Sequence, residues 1–159
     1  WHTPPEIVEA VQDHFAGRID LDPCSNSHEA PNVPALVHFT REDDGLSRPW
    51  SGRVYVNPPY GKGIGPWIEK VREEHEAGRV TAAVVLVKAA TDTRWFRVLS
   101  ERYPRCEVAG RLRFSGCKAP VPFRQCSPTW VTRCSGSRMC SPGSVCSSPP
   151  CRRPGERRR

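Results

Sequence analysis

The residues best placed to do chemistry are Asn57, Pro58, Pro59 and Tyr60, in the run VYVNPPYGKG at 54–63. Two consecutive prolines remove backbone donors and fix φ, so a strand formed by the preceding apolar residues must stop at Asn57. The result is a rigid turn that displays an amide side chain, a free carbonyl and an aromatic ring at a strand's C-terminal edge. Those groups suit a planar exocyclic amine such as that of adenine, whose nitrogen lone pair is delocalised into the ring and is a poor nucleophile. Acceptors for both of its N–H groups favour a more tetrahedral nitrogen as charge develops, a form of electrostatic preorganisation. Asn57 Oδ1 and the Pro58 carbonyl are the candidate acceptors. Tyr60 offers a stacking surface for a base flipped out of a duplex. Neither an acid–base residue nor a covalent nucleophile is required. The matching donor is S-adenosylmethionine, held with its sulfonium methyl in line with the amine. A strand that merely ends in a proline-rich loop would carry the same letters, but an apolar strand before and glycines with a helix after favour the functional reading.

Elements on either side must position this turn. Ile7, Val8, Val11 and Phe15 keep helical spacing after Thr3-Pro4-Pro5-Glu6, which predicts a helix capped by Thr3, with proline in its first turn, ending at Gly17. Residues 18–23, 36–40 and 53–57 read as strands. Ile64, Trp67, Ile68 and Val71 lie on one face of an amphipathic helix that stops at Gly78. The continuous apolar run VTAAVVLVKA at 80–89 has the composition of a central strand buried on both faces. Residues 93–103 form another helical pattern, broken by Pro104, and 106–114 a final strand with a glycine bend. Strands alternating with helices predict an open, mainly parallel α/β sheet. Ligands of such sheets sit at the C-terminal ends of strands, where the Asn57 turn falls.

The net charge of +7 at first suggests a nucleic-acid partner, but its distribution removes that inference. Residues 1–123 hold 16 Lys and Arg against 16 Asp and Glu; residues 124–159 hold 8 Arg and one Glu, which supplies the whole excess. Any basic groove in the first part must be assembled in space from groups such as Arg48, Arg53, Lys62, Arg94, Arg111 and Arg113. The eight cysteines make no CxxC and no His/Cys pairing at zinc spacing, so no metal site is expected. With no signal-peptide pattern and no apolar run near the membrane-spanning length, we expect a soluble protein; lacking a first Met, it is expected to continue upstream.

The chain divides at Phe123. Residues 124–159 contain 8 Arg, 7 Ser, 5 Cys and 5 Pro but no Leu, Ile, Ala or Phe, a composition expected to be disordered and unable to cover a sheet. Two origins stay open for it: a shifted reading frame, or a genuine Arg-rich nucleic-acid tail.

Several blocks in order carry a resemblance: WHTPPEIVEAV, GRIDLDPCSN, VPALVHFTREDDGL, VYVNPPYGKGIGPWIEKVREE, KAATDTRWF and GRLRFSG. Over about residues 1–123 the chain resembles the phage-type DNA N-6-adenine methyltransferases, the Dam family of phage genomes. The resemblance implies a class I, Rossmann-like methyltransferase sheet, here incomplete at its C-terminus. It also implies S-adenosylmethionine as donor and adenine in double-stranded DNA as acceptor. A setting in the cytoplasm of a bacterial host, in the context of restriction–modification and with no membrane partner, is implied too. The target-amine role then falls on Asn57, Pro58, Pro59 and Tyr60. Asp22, Pro23, Cys24 and Ser25 occupy the place of a cofactor-binding first strand and turn, although the G-x-G usual there is missing, and Cys24 alone reads as readily as a small buried thiol. Asp43 and Asp44 are candidates for the donor's ribose hydroxyls or adenine amine, against a plain solvated turn. Trp1, Thr3 and Pro4 match the opening block and are candidates to flank the donor's methionine end, Thr3 foremost. Lys62 and Phe114 are candidates for contacting the substrate, and Asp92, Trp95 and Lys88 are weaker ones.

Two other functions remain open on sequence. The same turn suits other planar nitrogens, such as a guanine amine in RNA or a glutamine amide in protein. Alternatively, the altered C-terminal segment makes this chain an inactive or merely nucleic-acid-binding product.

Overall fold

The computed structural model describes residues 2–61, 63–108, 112, 128–131 and 145–146. In chain order its elements are α1 (Pro5–His14), β1 (Ile19–Asp22), β2 (Ala35–His38), β3 (Gly52–Val56), α2 (Ile64–Glu76), β4 (Val80–Leu86), α3 (Arg94–Arg102), β5 (Arg105–Glu107), β6 (Pro128–Val131) and β7 (Val145–Cys146). They build one sheet in the order β2-β1-β3-β4-β6-β5-β7. The first four strands are mutually parallel, and β6 runs antiparallel to both β4 and β5.

Helices cover both faces of the parallel part. On one face Ile7, Val8, Val11 and Phe15 pack with Ile19, Val33, Tyr55, Val84 and Leu86. On the other, Ile64, Ile68 and Val71 of α2 and Phe96 and Leu99 of α3 pack on Val54, Val56, Ala83 and Val85. The division reflects the strand period of two, which sends Tyr55 to the α1 side and its neighbours Val54 and Val56 to the α2 side. The β4 interior from Ala83 to Leu86 is fully buried, as its unbroken apolar run requires.

Three expectations change. Thr3 does not cap α1: Pro4 holds the cap position, Pro5 opens the helix, and no side chain caps it. The strict alternation of strands with helices also fails between β1, β2 and β3, where residues 23–34 and 39–51 cross over without an α-helix. In the first crossover, Ser27 Oγ accepts from the Glu29 and Ala30 backbone N–H groups, and Asn26 Oδ1 from that of Asn32. Such local side-chain bonds compete with helix formation.

The third change concerns the segment beyond Phe123, whose composition predicts no part in the sheet. Pro128–Val131 lies between β4 and β5, pairing Val85 with Trp130 and Cys106 with Thr129, and Val145–Cys146 adds a strand beyond β5. An averaged composition hides the local run Pro-Thr-Trp-Val, whose Thr, Trp and Val suit a strand. Of the strand expected over 106–114, β5 covers Arg105–Glu107, and residues 109–111 and 113–114 lie outside the described ones.

Candidate active site

The chain leaves β1 toward β2 on one side and β3 toward β4 on the other, so the strand order reverses between β1 and β3. A crevice at the carboxyl ends of such neighbours is where open α/β sheets bind ligands. There the structure has a cleft of about 750 Å³, within the range of roughly 300–1,000 Å³ usual for small-molecule sites. Pro23, Cys24, Ser25 and Asn26 line it from the turn after β1. Thr40, Arg41, Asp44 and Gly45 come from the loop after β2, Asn57, Pro58, Pro59 and Tyr60 from the turn after β3, and Trp67 from α2.

Neighbouring turns fix the one after β1. The Asp22 carbonyl accepts from the Phe39 N–H and the Ser25 N–H donates to the Phe39 carbonyl, both at 2.9 Å. Asp22, unlike the three residues after it, is not among those lining the cleft: it is buried, and its Oδ1 accepts from the Cys24 backbone N–H at 3.0 Å. Burial pushes its carboxyl up to about 7, only partly opposed by that hydrogen bond. Burial also drives the Cys24 thiol well above its ordinary value, and the Asp22 charge adds to the rise. The Asn57 backbone N–H, which donates to the thiol, opposes it. Cys24 therefore joins the two strand-end turns as a neutral thiol.

No G-x-G stands in this turn, yet a close backbone approach occurs, with the glycine supplied from elsewhere. A Cβ on Gly45 would lie 2.2 Å from the Pro23 carbonyl oxygen and 3.2 Å from the Trp67 ring. The Gly45 carbonyl accepts from buried Trp50 Nε1 at 2.7 Å, and Trp50 stacks on Trp67 with ring centroids 6.0 Å apart. Sequence reasoning assigns Trp67 to the core alone and gives Gly45 and Trp50 no part in the site. The readable signal is the Asp-Asp-Gly turn itself, whose glycine has to be Gly for packing.

The two acidic candidates separate. Asp44 lines the cleft from a left-handed backbone at φ 50°. Asp43 does not: its Oδ2 accepts from the Thr40 N–H at 2.7 Å, the Thr40 hydroxyl at 2.9 Å and His28 Nε2 at 2.7 Å. Those bonds hold its carboxyl below the usual range, the Thr40 backbone bond most of all. Its work is to close the turn.

Asn57 is half-buried just past β3. Its Nδ2 donates to Thr3 Oγ1 at 3.2 Å, while its Oδ1 is buried and has no hydrogen-bond partner among the described residues. A buried acceptor without a donor costs free energy, about 1–3 kcal/mol, that a ligand N–H can recover. Thr3 is not among the residues lining the cleft; its hydroxyl meets Asn57 and Tyr55 Oη, the latter at 3.0 Å. Burial pushes the Tyr60 hydroxyl up to about 12, so it is neutral near pH 7.

The remaining candidates scatter. Arg53 lies at the opposite end of β3, its Nε 3.2 Å from Asp20 and its Nη1 2.6 Å from the Phe15 carbonyl. Asp92 and Trp95 are not among the cleft residues, and Trp95 meets Phe96 edge-on. Trp1, Lys62, Phe114, Arg111 and Arg113 lie outside the described residues. Among the described residues no group of three or more His, Cys, Asp or Glu side chains is arranged for a metal ion, and no helix is long and apolar enough to cross a membrane.

Compared with known proteins, residues 1–122 match the model of the DNA N-6-adenine-methyltransferase (Dam) family. No curated protein and no solved structure matches.

Proposed function

We infer the activity from a plain premise: this chain belongs to the DNA N-6-adenine-methyltransferase (Dam) family. The family's activity is methylation of adenine in DNA, and our proposal for this chain is transfer of a methyl group from S-adenosylmethionine to the adenine exocyclic amine of a duplex. The observation that carries it is the buried Asn57 Oδ1, which lacks a donor among the described residues and sits beside the cleft-lining Pro58.

The residues fit such a donor. S-adenosylmethionine supplies an electrophilic methyl on a cationic sulfonium, beside an ammonium group. The turn Pro23-Cys24-Ser25 forms the wall for the methionine end, and the Asp22 carboxyl, buried behind that turn and not itself lining the cleft, favours a cation there when ionised. Asp44 serves the nucleoside hydroxyls and Trp67 gives that wall an aromatic face. Across the cleft, Asn57 Oδ1 and the Pro58 carbonyl accept the two amine N–H groups of a flipped adenine. The Tyr60 ring stacks on the base. These contacts strengthen as positive charge develops on the amine, which lowers the barrier by preorganisation. The surplus proton leaves to water, since the neutral Tyr60 hydroxyl is no base. Lys62 and Phe114 are kept as proposed substrate contacts.

The test is radiolabelled S-adenosylmethionine with three acceptors: an adenine-containing duplex, the same duplex premethylated at N6, and RNA or glutamine-containing protein. Label in N6-methyladenine from the unmodified duplex alone is expected. Label in RNA or protein but not in DNA would move the acceptor class, and label in none would refute an active enzyme.

A further inference from the structure

We infer that Thr3 is a positioning residue that aims the Asn57 amide, held for that task by Tyr55 and Asn32. This rests on the proposed role of Asn57 at the acceptor amine. An amide has two ends of nearly equal shape and opposite polarity. With Oδ1 toward an incoming amine, an acceptor meets a donor; rotated by half a turn, Nδ2 meets the amine as donor against donor. The turn's prolines hold the backbone but not this rotation, so a side-chain partner must set it.

Thr3 has the required placement. Tyr55 faces the α1 side of the sheet, Asn57 follows it by two residues just past the strand, and Thr3 lies just before that helix. Its Oγ1 accepts from Asn57 Nδ2 at 3.2 Å and meets Tyr55 Oη at 3.0 Å. Spending Nδ2 on Thr3 leaves Oδ1 as the end without a partner among the described residues. Thr3 is itself clamped: its N–H donates to Asn32 Oδ1 at 2.6 Å, and Asn32 Nδ2 donates back to the Thr3 carbonyl at 3.2 Å. Pro4 and Pro5 come next at fixed φ. Tyr55 is 1% exposed and burial keeps its hydroxyl neutral, so Thr3 is anchored on a side chain packed in the core. Three separate segments thus converge on the orientation of one amide, and none of these bonds is needed to cap the helix.

The experiment compares the full chain with Thr3→Val, Thr3→Ser and Tyr55→Phe. Its first readout is the nitrogen–proton spectrum of the Asn57 side-chain NH₂, identified by its disappearance in Asn57→Asp. The second is the single-turnover rate with saturating donor and adenine duplex, alongside donor affinity by calorimetry. Thr3→Val is expected to shift the Asn57 NH₂ signals, to hasten their exchange with water, and to slow transfer by roughly tenfold to a hundredfold, the scale of small misplacements. Donor affinity should stay within about threefold, because the amide acts on the acceptor. Thr3→Ser should restore signals and rate, and Tyr55→Phe should move both in the same direction by less. An unmoved NH₂ signal in Thr3→Val, an unaltered rate, or weakened donor binding at unchanged saturated rate would each overturn the inference. If Thr3→Val fails to fold, Tyr55→Phe decides by the same criteria. If the wild type methylates no adenine duplex, the proposed function fails, while the NH₂ signals still report whether Thr3 holds Asn57.

Discussion

The turns after β1 and β3 are neighbours built alike and equipped differently. Each ends a parallel strand with proline, Pro23 in one and Pro58-Pro59 in the other, and the two touch where the Asn57 N–H meets the Cys24 thiol. The first carries a buried carboxylate and the second a neutral amide with an aromatic ring. A carboxylate suits a cation and tolerates burial only at the cost of a raised pKa. A neutral amide can offer an acceptor to an uncharged amine without a buried charge. The difference suggests one turn for a charged donor and one for a neutral acceptor, and substitutions that remove one chemistry while sparing the other test that division.

Asn57→Ala should have the largest effect. By analogy with losing one preorganised hydrogen-bond group, transfer should slow by roughly a hundredfold or more, while donor affinity by calorimetry changes little. Transfer at near wild-type rate would remove Asn57 from the acceptor side. Loss of donor affinity in step with rate would merge the two turns into one site.

Asp22→Asn should strike the other turn. The variant removes a charge behind the cleft wall, so donor affinity above pH 8 should fall by roughly tenfold, the scale of a one-unit coupling of about 1.4 kcal/mol. In the wild type, affinity should rise with pH through about 7 as the carboxyl ionises, and the variant should lack that rise. Stability of the ligand-free protein should run the opposite way. The folded carboxyl holds its proton up to about 7, whereas the unfolded one releases it near the ordinary 3.8, so the folded state binds more protons in between. The stabilising contribution is complete below about pH 4 and is lost as pH rises through about 7. Asp22→Asn should flatten that part of the stability profile measured by denaturant titration. A flat wild-type affinity profile would count against Asp22 as a cation's partner.

How much of this was legible in the sequence depended on whether the signal was local. The turn after β3 was readable as a turn because proline acts on its own backbone, so NPPY stops the strand wherever the fold puts it. The apolar run of β4 and the amphipathic faces of α1 and α2 are likewise periodic and local. The rest of the cleft was less legible because its parts come from separate segments. Asp43 and Asp44 are adjacent in sequence, and only the fold spends the first on Thr40 and His28 while turning the second to the cleft. Thr3 read as a helix cap, the commonest use of a threonine before a helix, because its bonds to Asn57 and Asn32 span 54 and 29 residues. Strand β6 escaped because composition averaged over 36 residues conceals four that suit a sheet.

Gly45→Ala should disturb the cleft wall at Pro23, which we propose faces the donor, without touching its polar groups. The added methyl would lie 2.2 Å from the Pro23 carbonyl, a backbone atom that cannot swing aside. Overpacking of this kind costs about 1–3 kcal/mol. Thermal or denaturant unfolding should report that loss, and donor affinity should weaken, while the saturated transfer rate changes less than in Asn57→Ala. An unchanged midpoint and affinity would mean that the turns after β1 and β2 pack independently.

The smallest effect separates ring from hydroxyl at Tyr60. Burial pushes this hydroxyl up to about 12, so near neutral pH it neither accepts the amine's proton nor carries charge. What the ring can offer is a face for the flipped base, and base–aromatic stacking contributes about 1–3 kcal/mol. Tyr60→Ala should therefore weaken capture of adenine duplex by that amount in a binding titration. Tyr60→Phe keeps the face and should stay near wild type in both duplex affinity and rate. Neither change should move donor affinity if Tyr60 belongs to the acceptor turn alone. Equal damage from Phe and Ala would make the hydroxyl the working group and overturn the stacking role. A loss of donor affinity in Tyr60→Phe would instead place this side chain across both turns, and the division between them would have to be redrawn at Tyr60.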